Sequence, residues 1–218
     1  MIEEANICPL CNSSSISEFS HANNKLYYRC DICCLIFLDR FFFLSPEDEK
    51  QRYSLHNNDI TDEKYITHIK TLTDSLLPYL KPEDNGLDYG SGEANPVAHI
   101  LGRIGYLVKN YDPFFYRDER LLKKKYDFVT CIETVEHFYD PAKEFEQLSL
   151  MLNKPGILGI MTNIYSGEID FDEWWYIRDE THVCFYSKET FELIAKVNNW
   201  NIIYPSTNVV LFKSLSSS

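Results

Sequence analysis

The chain has 218 residues, and its 21 Lys and Arg against 33 Asp and Glu give a formal charge of −12. With 44% apolar and 15% aromatic residues, it is not a disordered chain, and no run approaches the ~18 consecutive apolar residues of a membrane helix. The acid excess weighs against phosphate-backbone binding, which rests on Lys and Arg; Met1-Ile-Glu-Glu lacks the basic start and apolar stretch of an export signal, so a cytoplasmic protein without a membrane partner is expected.

Seven cysteines is an odd number, which with no export signal argues against a disulfide framework. Four are ordered as Cys8-Pro-Leu-Cys11 and Cys30-Asp-Ile-Cys33, with eighteen residues between the pairs. That spacing belongs to the class read as zinc sites, in which two tight knuckles each present two thiolates. Residues 16–19 and 25–29 between them can pair as a short hairpin. A lobe of ~40 residues has too small a core to stand alone, and a metal would supply the missing stability. Buried free thiols and a redox pair are the other readings. Cys34 could compete with Cys33 as a ligand. Cys131 and Cys184 sit in apolar surroundings and read as core thiols.

Leu35–Leu44 is apolar and aromatic and should pack the ribbon onto the remainder of the chain. Ser45-Pro46-Glu47-Asp48 is a helix start, with a cap, a proline at the first position and acids behind it. Residues 61–77 predict a second helix, with Tyr65, Ile69, Leu72 and Leu76 at helical steps, ended by Pro78. From Gly86 strands and helices alternate. Strands are expected at 86–89, 106–111, 126–132 and 157–164, with helices at 96–103, after Asp140-Pro141 (Phe145, Leu148 and Leu152 on one face) and at 188–198. Lys154-Pro155-Gly156 should end the second of these helices, and Asn95 should cap the first. Strands at 202–204 and 209–212 close the chain. The alternation implies a mainly parallel sheet, and the last pair an antiparallel edge. Ser214–Ser218 reads as a frayed tail.

Leu87-Asp-Tyr-Gly-Ser-Gly-Glu-Ala94 lies between a strand and a helix. Its glycines let a ligand approach the backbone, and a helix N-terminus attracts an anionic group. Asp112 ends the next strand, where it can accept from both hydroxyls of a ribose. The third position of a dinucleotide fingerprint is Asn95 instead of glycine, and Glu93 inside the turn would repel a pyrophosphate. S-adenosylmethionine (AdoMet) offers a sulfonium, an ammonium and one carboxylate, so an acidic turn suits it better. Asp88 can then face the ammonium.

With this turn, Tyr126-Asp-Phe-Val-Thr-Cys-Ile-Glu-Thr-Val-Glu-His137 with Asp140-Pro141 just beyond it, and Leu152-Asn-Lys-Pro-Gly-Ile-Leu158, residues 83–205 resemble the class I AdoMet-dependent methyltransferases. The resemblance implies an α/β Rossmann-like sheet and an enzyme using AdoMet, with Asp88, Gly90, Ser91, Gly92, Asp112, Pro113 and Glu133 about the cofactor. It extends, with the ribbon, the aromatic linker and the loop Trp174–Tyr186, to poorly characterised bacterial methyltransferases of the type 11/type 23 group. Only thirteen residues separate Asp112 from Tyr126, too few for the helix and strand the family usually places there. A sheet lacking one edge strand is therefore expected, with Phe114 or Phe115 covering the adenine. The expected domains are a ribbon at 1–40, a linker at 41–82 and a catalytic domain at 83–218.

Methyl transfer needs the acceptor positioned and, for oxygen, its proton removed. Glu133, His137 and His182 are the candidate catalytic residues, His137 or His182 as base. The order Glu133, Glu136, His137, then His182 also resembles the metal site of small-RNA 3′-end and ubiquinone-pathway O-methyltransferases, implying a second metal such as Mg²⁺ or Mn²⁺ beside the structural zinc; capping the loop is the alternative role. Trp174, Trp175 and Tyr176 either form a lid on a planar acceptor or pack the loop, and Arg178 pairs with a substrate anion or with Asp179. His21, His56, His68 and His99 receive no role, and Lys123–Lys125 reads as a solvated face. The leading expectation is methyl transfer to a small-molecule acceptor, at oxygen; the alternatives are RNA 2′-O-methylation and an AdoMet-binding adaptor without turnover.

Overall fold

Short polar signals start the helices, and apolar runs between them become strands. The computed structural model describes residues 7–55 and 58–215. In chain order the strands and helices are β1 (Ile16–Ser20), β2 (Tyr27–Cys30), β3 (Ile36–Leu38), α1 (Pro46–Tyr53), α2 (Glu63–Leu76), β4 (Asn85–Tyr89), α3 (Pro96–Gly102), β5 (Leu107–Tyr111), β6 (Tyr126–Ile132), α4 (Pro141–Met151), β7 (Leu152–Met161), β8 (Cys184–Phe185), α5 (Lys188–Asn198), β9 (Trp200–Ser206) and β10 (Val209–Ser214). Ser45 accepts from the Asp48 amide to cap α1, and Asp62 accepts from the Lys64 amide to cap α2. Ser187 and Thr190 exchange amide-to-hydroxyl bonds at the start of α5. His56 and Ser216–Ser218 lie outside the described residues. No described helix is long and apolar enough to cross a membrane.

The chain falls into two compact units, each discontinuous in sequence. Met1–Ser54, Glu136–Phe145 and Asn163–Ile194 form the ribbon unit; Leu55–Val135, Glu146–Thr162 and Ala195–Ser218 form the sheet unit.

In the sheet unit the strand order is β5-β4-β6-β7-β10-β9. β5, β4, β6 and β7 run parallel, and β10 is antiparallel to both β7 and β9. β5 is an edge strand, as the short Asp112–Tyr126 spacing predicts. The chain after it closes an Asp112–Tyr116 bridge and makes one 3-10 turn, Leu121–Lys123. The core is aliphatic: Ile69, Leu72 and Leu76 of α2 and Val97 and Leu101 of α3 pack with Phe128, Ile157, Met161, Val209 and Leu211 of the sheet. Glycine at 159 leaves room for Leu72, whose Cδ1 lies 3.0 Å from where a Cβ would stand.

Beyond shifts of a few residues at element ends, three features differ from expectation. β7 begins at Leu152, directly after α4, so Lys154-Pro155-Gly156 lies within the strand instead of between helix and strand. Asn95 sits at α3's start with φ +52 and makes no side-chain cap; its amide donates to the Glu93 carbonyl instead. Ser214 is the last residue of β10, not part of a tail: it is buried, accepts from the Gly156 amide and donates to the Asn153 carbonyl.

In the ribbon unit, β1, β2, β3 and β8 form an antiparallel sheet. The expected hairpin is β1–β2. Leu35–Leu44, read as a packing segment, supplies β3 as a third strand, and β8 from the late loop adds a fourth. The core here is aromatic. Phe171 contacts Phe19, Tyr27, Tyr165, Trp174 and Phe185, with ring centroids 5.1–6.1 Å apart.

Candidate active site and metal centres

The carboxyl ends of β4, β5 and β6 carry the residues expected about the cofactor, all in the sheet unit. Gly90 and Gly92 have φ of +76 and +60. A side chain at Gly90 would meet Thr134 Cγ2 at 2.3 Å, so position 90 requires glycine for its conformation and for its packing. The Gly90 and Ser91 amides donate to the Tyr111 carbonyl at 2.8 and 3.1 Å, and the Gly92 amide donates to Asp112 Oδ2 at 3.0 Å. Three successive N–H groups that would cradle a phosphate in a dinucleotide turn are thus spent on β5 and its end. The turn suits a cofactor without phosphate.

Asp112 organises more than expected. Its Oδ1 accepts from the Phe114 and Phe115 amides at 2.8 and 3.0 Å while Oδ2 accepts from Gly92. Those bonds occupy three of a carboxylate's roughly four acceptor positions, leaving capacity for one ribose hydroxyl where the sequence suggests two. Pro113 is exposed, and Phe114 and Phe115 are half-buried. Tyr116 latches the two loops by donating its hydroxyl to the Glu93 carbonyl at 3.0 Å.

Asp88 is buried and accepts from Thr130 Oγ1 at 2.7 Å. Burial pushes its carboxyl up to about 7; the Thr130 bond opposes this and the Asp112 charge adds to it. A cationic ligand group beside Asp88 would restore its charge.

Glu133 comes directly after β6 with φ +45, a left-handed conformation, and its amide is pinned to the Met161 carbonyl at 2.8 Å. Its Oε1 lies 3.5 Å from His68 Nε2. His68, to which the sequence assigns no role, is therefore a site neighbour. The neighbouring Glu133 carboxylate raises its pKa, with burial opposing. The usable signal is its helical step from Tyr65 on α2, which sequence reading takes only as an apolar stripe.

The ribbon unit holds two further groups. Cys8, Cys11, Cys30 and Cys33 bring their sulfurs within 4.8 Å of one another, with Cys8–Cys33 at 3.4 Å and Cys11–Cys30 at 3.5 Å. A tetrahedral zinc with ~2.3 Å bonds separates its sulfurs by ~3.8 Å, so these residues fit the metal. The knuckles are copies of each other. The Asn12 amide donates to the Cys8 carbonyl and the Cys34 amide to the Cys30 carbonyl; Asn12 and Cys34 have φ of +57 and +60. The Cys8 and Cys30 amides donate in turn to the Ser13 and Leu35 carbonyls. Cys34 is thus the left-handed residue of its knuckle and is not in the sulfur cluster. Four crowded thiols ionise poorly together. The Cys33 bond pulls Cys8 down to about 5, while burial pushes Cys11 up to about 11.

Glu136, His137 and His182 form the second group, again with ligand atoms within 4.8 Å. The structure gathers three of the four residues implied by the resemblance; Glu133 faces His68 and is not in the set. His137 Nδ1 lies 3.0 Å from the Thr181 carbonyl and His182 Nδ1 lies 2.8 Å from the Tyr176 carbonyl. Carbonyls only accept, so both Nδ1 atoms carry protons, and in the neutral rings Nε2 is the basic nitrogen. Glu136 is fully buried and accepts from the Tyr176 hydroxyl at 2.5 Å. Of the aromatic triplet, Trp174 and Tyr176 are buried in the core, and Trp175 is 61% exposed. Asp179 pairs with Arg52 at 3.1 Å, and Arg178 is exposed. Cys131 and Cys184 are buried thiols as expected.

Residues 61–204, more than half of the chain, match the family model described as a methyltransferase domain. The chain belongs to that family, and its fold is that of a class I AdoMet-dependent methyltransferase, an enzyme. Curated proteins return no match. Solved structures share the fold at low identity. The 1,6-didemethyltoxoflavin-N1-methyltransferase of Burkholderia thailandensis, solved with 1,6-didemethyltoxoflavin and S-adenosylhomocysteine, is 9% identical with a TM-score of 0.56, covering 92% of this chain and all of that one. An O-methyltransferase family protein from the same organism is 11% identical at TM-score 0.53, and the match covers 71% of this chain and 59% of that longer one. A SAM-dependent methyltransferase from Archaeoglobus fulgidus is 19% identical at TM-score 0.51, covering 68% and 94%.

Proposed function

We propose that this enzyme methylates an oxygen of a small-molecule acceptor. Bound AdoMet supplies the methyl group and a neutral thioether as leaving group. Asp112 takes a ribose hydroxyl, Asp88 the ammonium, and Phe114 or Phe115 the adenine face, with Ser91, Pro113 and Glu133 completing the surround. The catalytic domain in this reading is residues 83–218, behind a ribbon and a linker. The observation that carries the choice of oxygen is the His137–His182 pair. Each ring is fixed by its own Nδ1–H, so each has Nε2 as a base for a hydroxyl proton, a role a nitrogen or sulfur acceptor needs less. A small molecule is favoured by the acid excess, and the Burkholderia N1-methyltransferase carries a small heterocyclic substrate on a similar fold.

The four-cysteine cluster takes a structural zinc. The close grouping of Glu136, His137 and His182 supports a second reading: two imidazoles and a carboxylate are a donor set for Zn²⁺ or another transition ion, softer than Mg²⁺ prefers. Its backbone carbonyls and Tyr176 would be the orienting outer partners.

The test is label transfer from methyl-tritiated AdoMet to paired panels of small phenols, polyols and amines. The expected result is label on a hydroxyl, with His182→Ala about 100-fold slower or worse. Label passing only to amines or only to RNA overturns the assignment. Chelator treatment that leaves the zinc ribbon loaded and the rate intact removes the second-metal reading.

A further inference from the structure

Helix α2 lies at the cofactor edge as well as in the core. The Asn58 amide is the nearest group to the space a Gly92 side chain would enter, at 3.8 Å. Tyr65 is close enough to Asp88 for that charge to help burial push its phenol to about 12. One helical step further, His68 reaches Glu133. Parallel pairing sets Asp88 of β4 beside Thr130 of β6. Glu133 follows β6 directly, and the next residue, Thr134, lies against the Gly90 turn that follows β4. Thr134 ties the two turns, its hydroxyl 3.5 Å from the Gly90 carbonyl. Asn58, Tyr65 and His68 therefore line one edge opposite Gly92, Asp88 and Glu133. The carboxylates there are Asp88, Asp112 and Glu133, and the imidazole of His68 is set against the last of them.

We propose that Glu133 recognises the positive charge of the methyl donor, and that the His68 imidazole, in its protonated form, is the cation exchanged for it, so that the pair discriminates AdoMet from its neutral spent form. This rests on the reading that AdoMet occupies the Gly90 turn. S-adenosylhomocysteine keeps the ammonium, carboxylate, ribose and adenine, and lacks only the methyl group and the sulfonium charge. A carboxylate that senses that charge separates the two ligands; one that only shapes the pocket treats them alike. Both side chains can rearrange, being 45% and 32% exposed.

The test is calorimetric titration of the full chain with AdoMet and with S-adenosylhomocysteine near neutral pH. Glu133→Gln is expected to weaken AdoMet about tenfold or more and to change S-adenosylhomocysteine less than about threefold. His68→Gln is expected to move the ratio the other way, tightening AdoMet a few-fold. The double variant should behave as Glu133→Gln alone, because the competitor has lost its target. An affinity ratio unchanged in both single variants overturns the proposal. If Glu133→Gln does not fold, His68→Gln decides alone: a ratio moved toward AdoMet supports the exchange and an unmoved ratio contradicts it. Failure of the underlying reading looks different, since the wild-type chain would then bind neither ligand.

Discussion

The two units reach stability by different means. The sheet unit buries a largely aliphatic core, Ile69, Leu72, Val97 and Met161 among it with Phe128, under a mixed, mainly parallel sheet. The ribbon unit has short antiparallel strands of two to five residues, an aromatic cluster, a four-thiol cluster and a Glu-His-His set of which Glu136 and His182 are buried. Apolar burial is non-directional and tolerates small errors. Thiolates and buried acids demand partners. The sheet unit should therefore respond to lost volume, and the ribbon unit to lost ligands and lost protons.

The largest contrast comes from metal removal. Structural zinc contributes ~10–16 kcal/mol apparent in small zinc-dependent folds. A strong chelator, or Cys30→Ser, should make the ribbon unit's peptides protease-sensitive while the sheet unit's stay protected. Equal sensitivity of both sets would end the distinction. Next is Leu72→Ala, at a fully buried position, which should cost ~2–5 kcal/mol in denaturant unfolding and leave zinc stoichiometry untouched.

Asp88 gives a pH signature within the sheet unit. Its carboxyl lies near 7 instead of 3.8, so the folded chain holds a proton that the unfolded chain has lost across that window. Its contribution to stability is then largest at low pH and falls as pH rises from about 4 to about 7. Asp88→Asn should flatten this decline, gaining a few kcal/mol at pH 8, and should weaken AdoMet by removing the ammonium's partner. A thermal-stability profile unchanged in shape would contradict the burial argument. The smallest effect is at Cys34. Asn occupies the equivalent place in the other knuckle, so Cys34→Asn should alter stability by no more than ~1 kcal/mol and leave the bound zinc at one per ribbon. Loss of zinc would make Cys34 a ligand.

Periodicity and caps made most of the sheet unit legible. Ser45, the α2 stripe, the β6 run and the glycine turn each act locally, and the missing edge strand follows from the short Asp112–Tyr126 spacing set against the family's usual pattern. What escaped were pairings across long sequence distances. β8 joins β3 over some 150 residues, and nothing local in Cys184-Phe185 marks a strand end. His68 reaches Glu133 from a helix face that looks like any amphipathic surface. Position alone marks Asp112, but its three backbone donors come from loops whose course no spacing rule encodes. The knuckle role of Cys34 became visible only when its φ and hydrogen bonds matched those of Asn12. Proline and glycine normally end elements, so Leu152-Asn-Lys-Pro-Gly reads as a break, whereas in the fold it lies inside β7.

Everything proposed for the chemistry depends on the turn Gly90–Gly92 and Asp112 holding AdoMet. Calorimetric titration of S-adenosylhomocysteine into the wild-type chain and into Asp112→Ala tests this most directly. One site per chain is expected in the wild type, weakened at least ~100-fold in the variant. No binding to the wild type, or equal binding to both, would contradict the assignment.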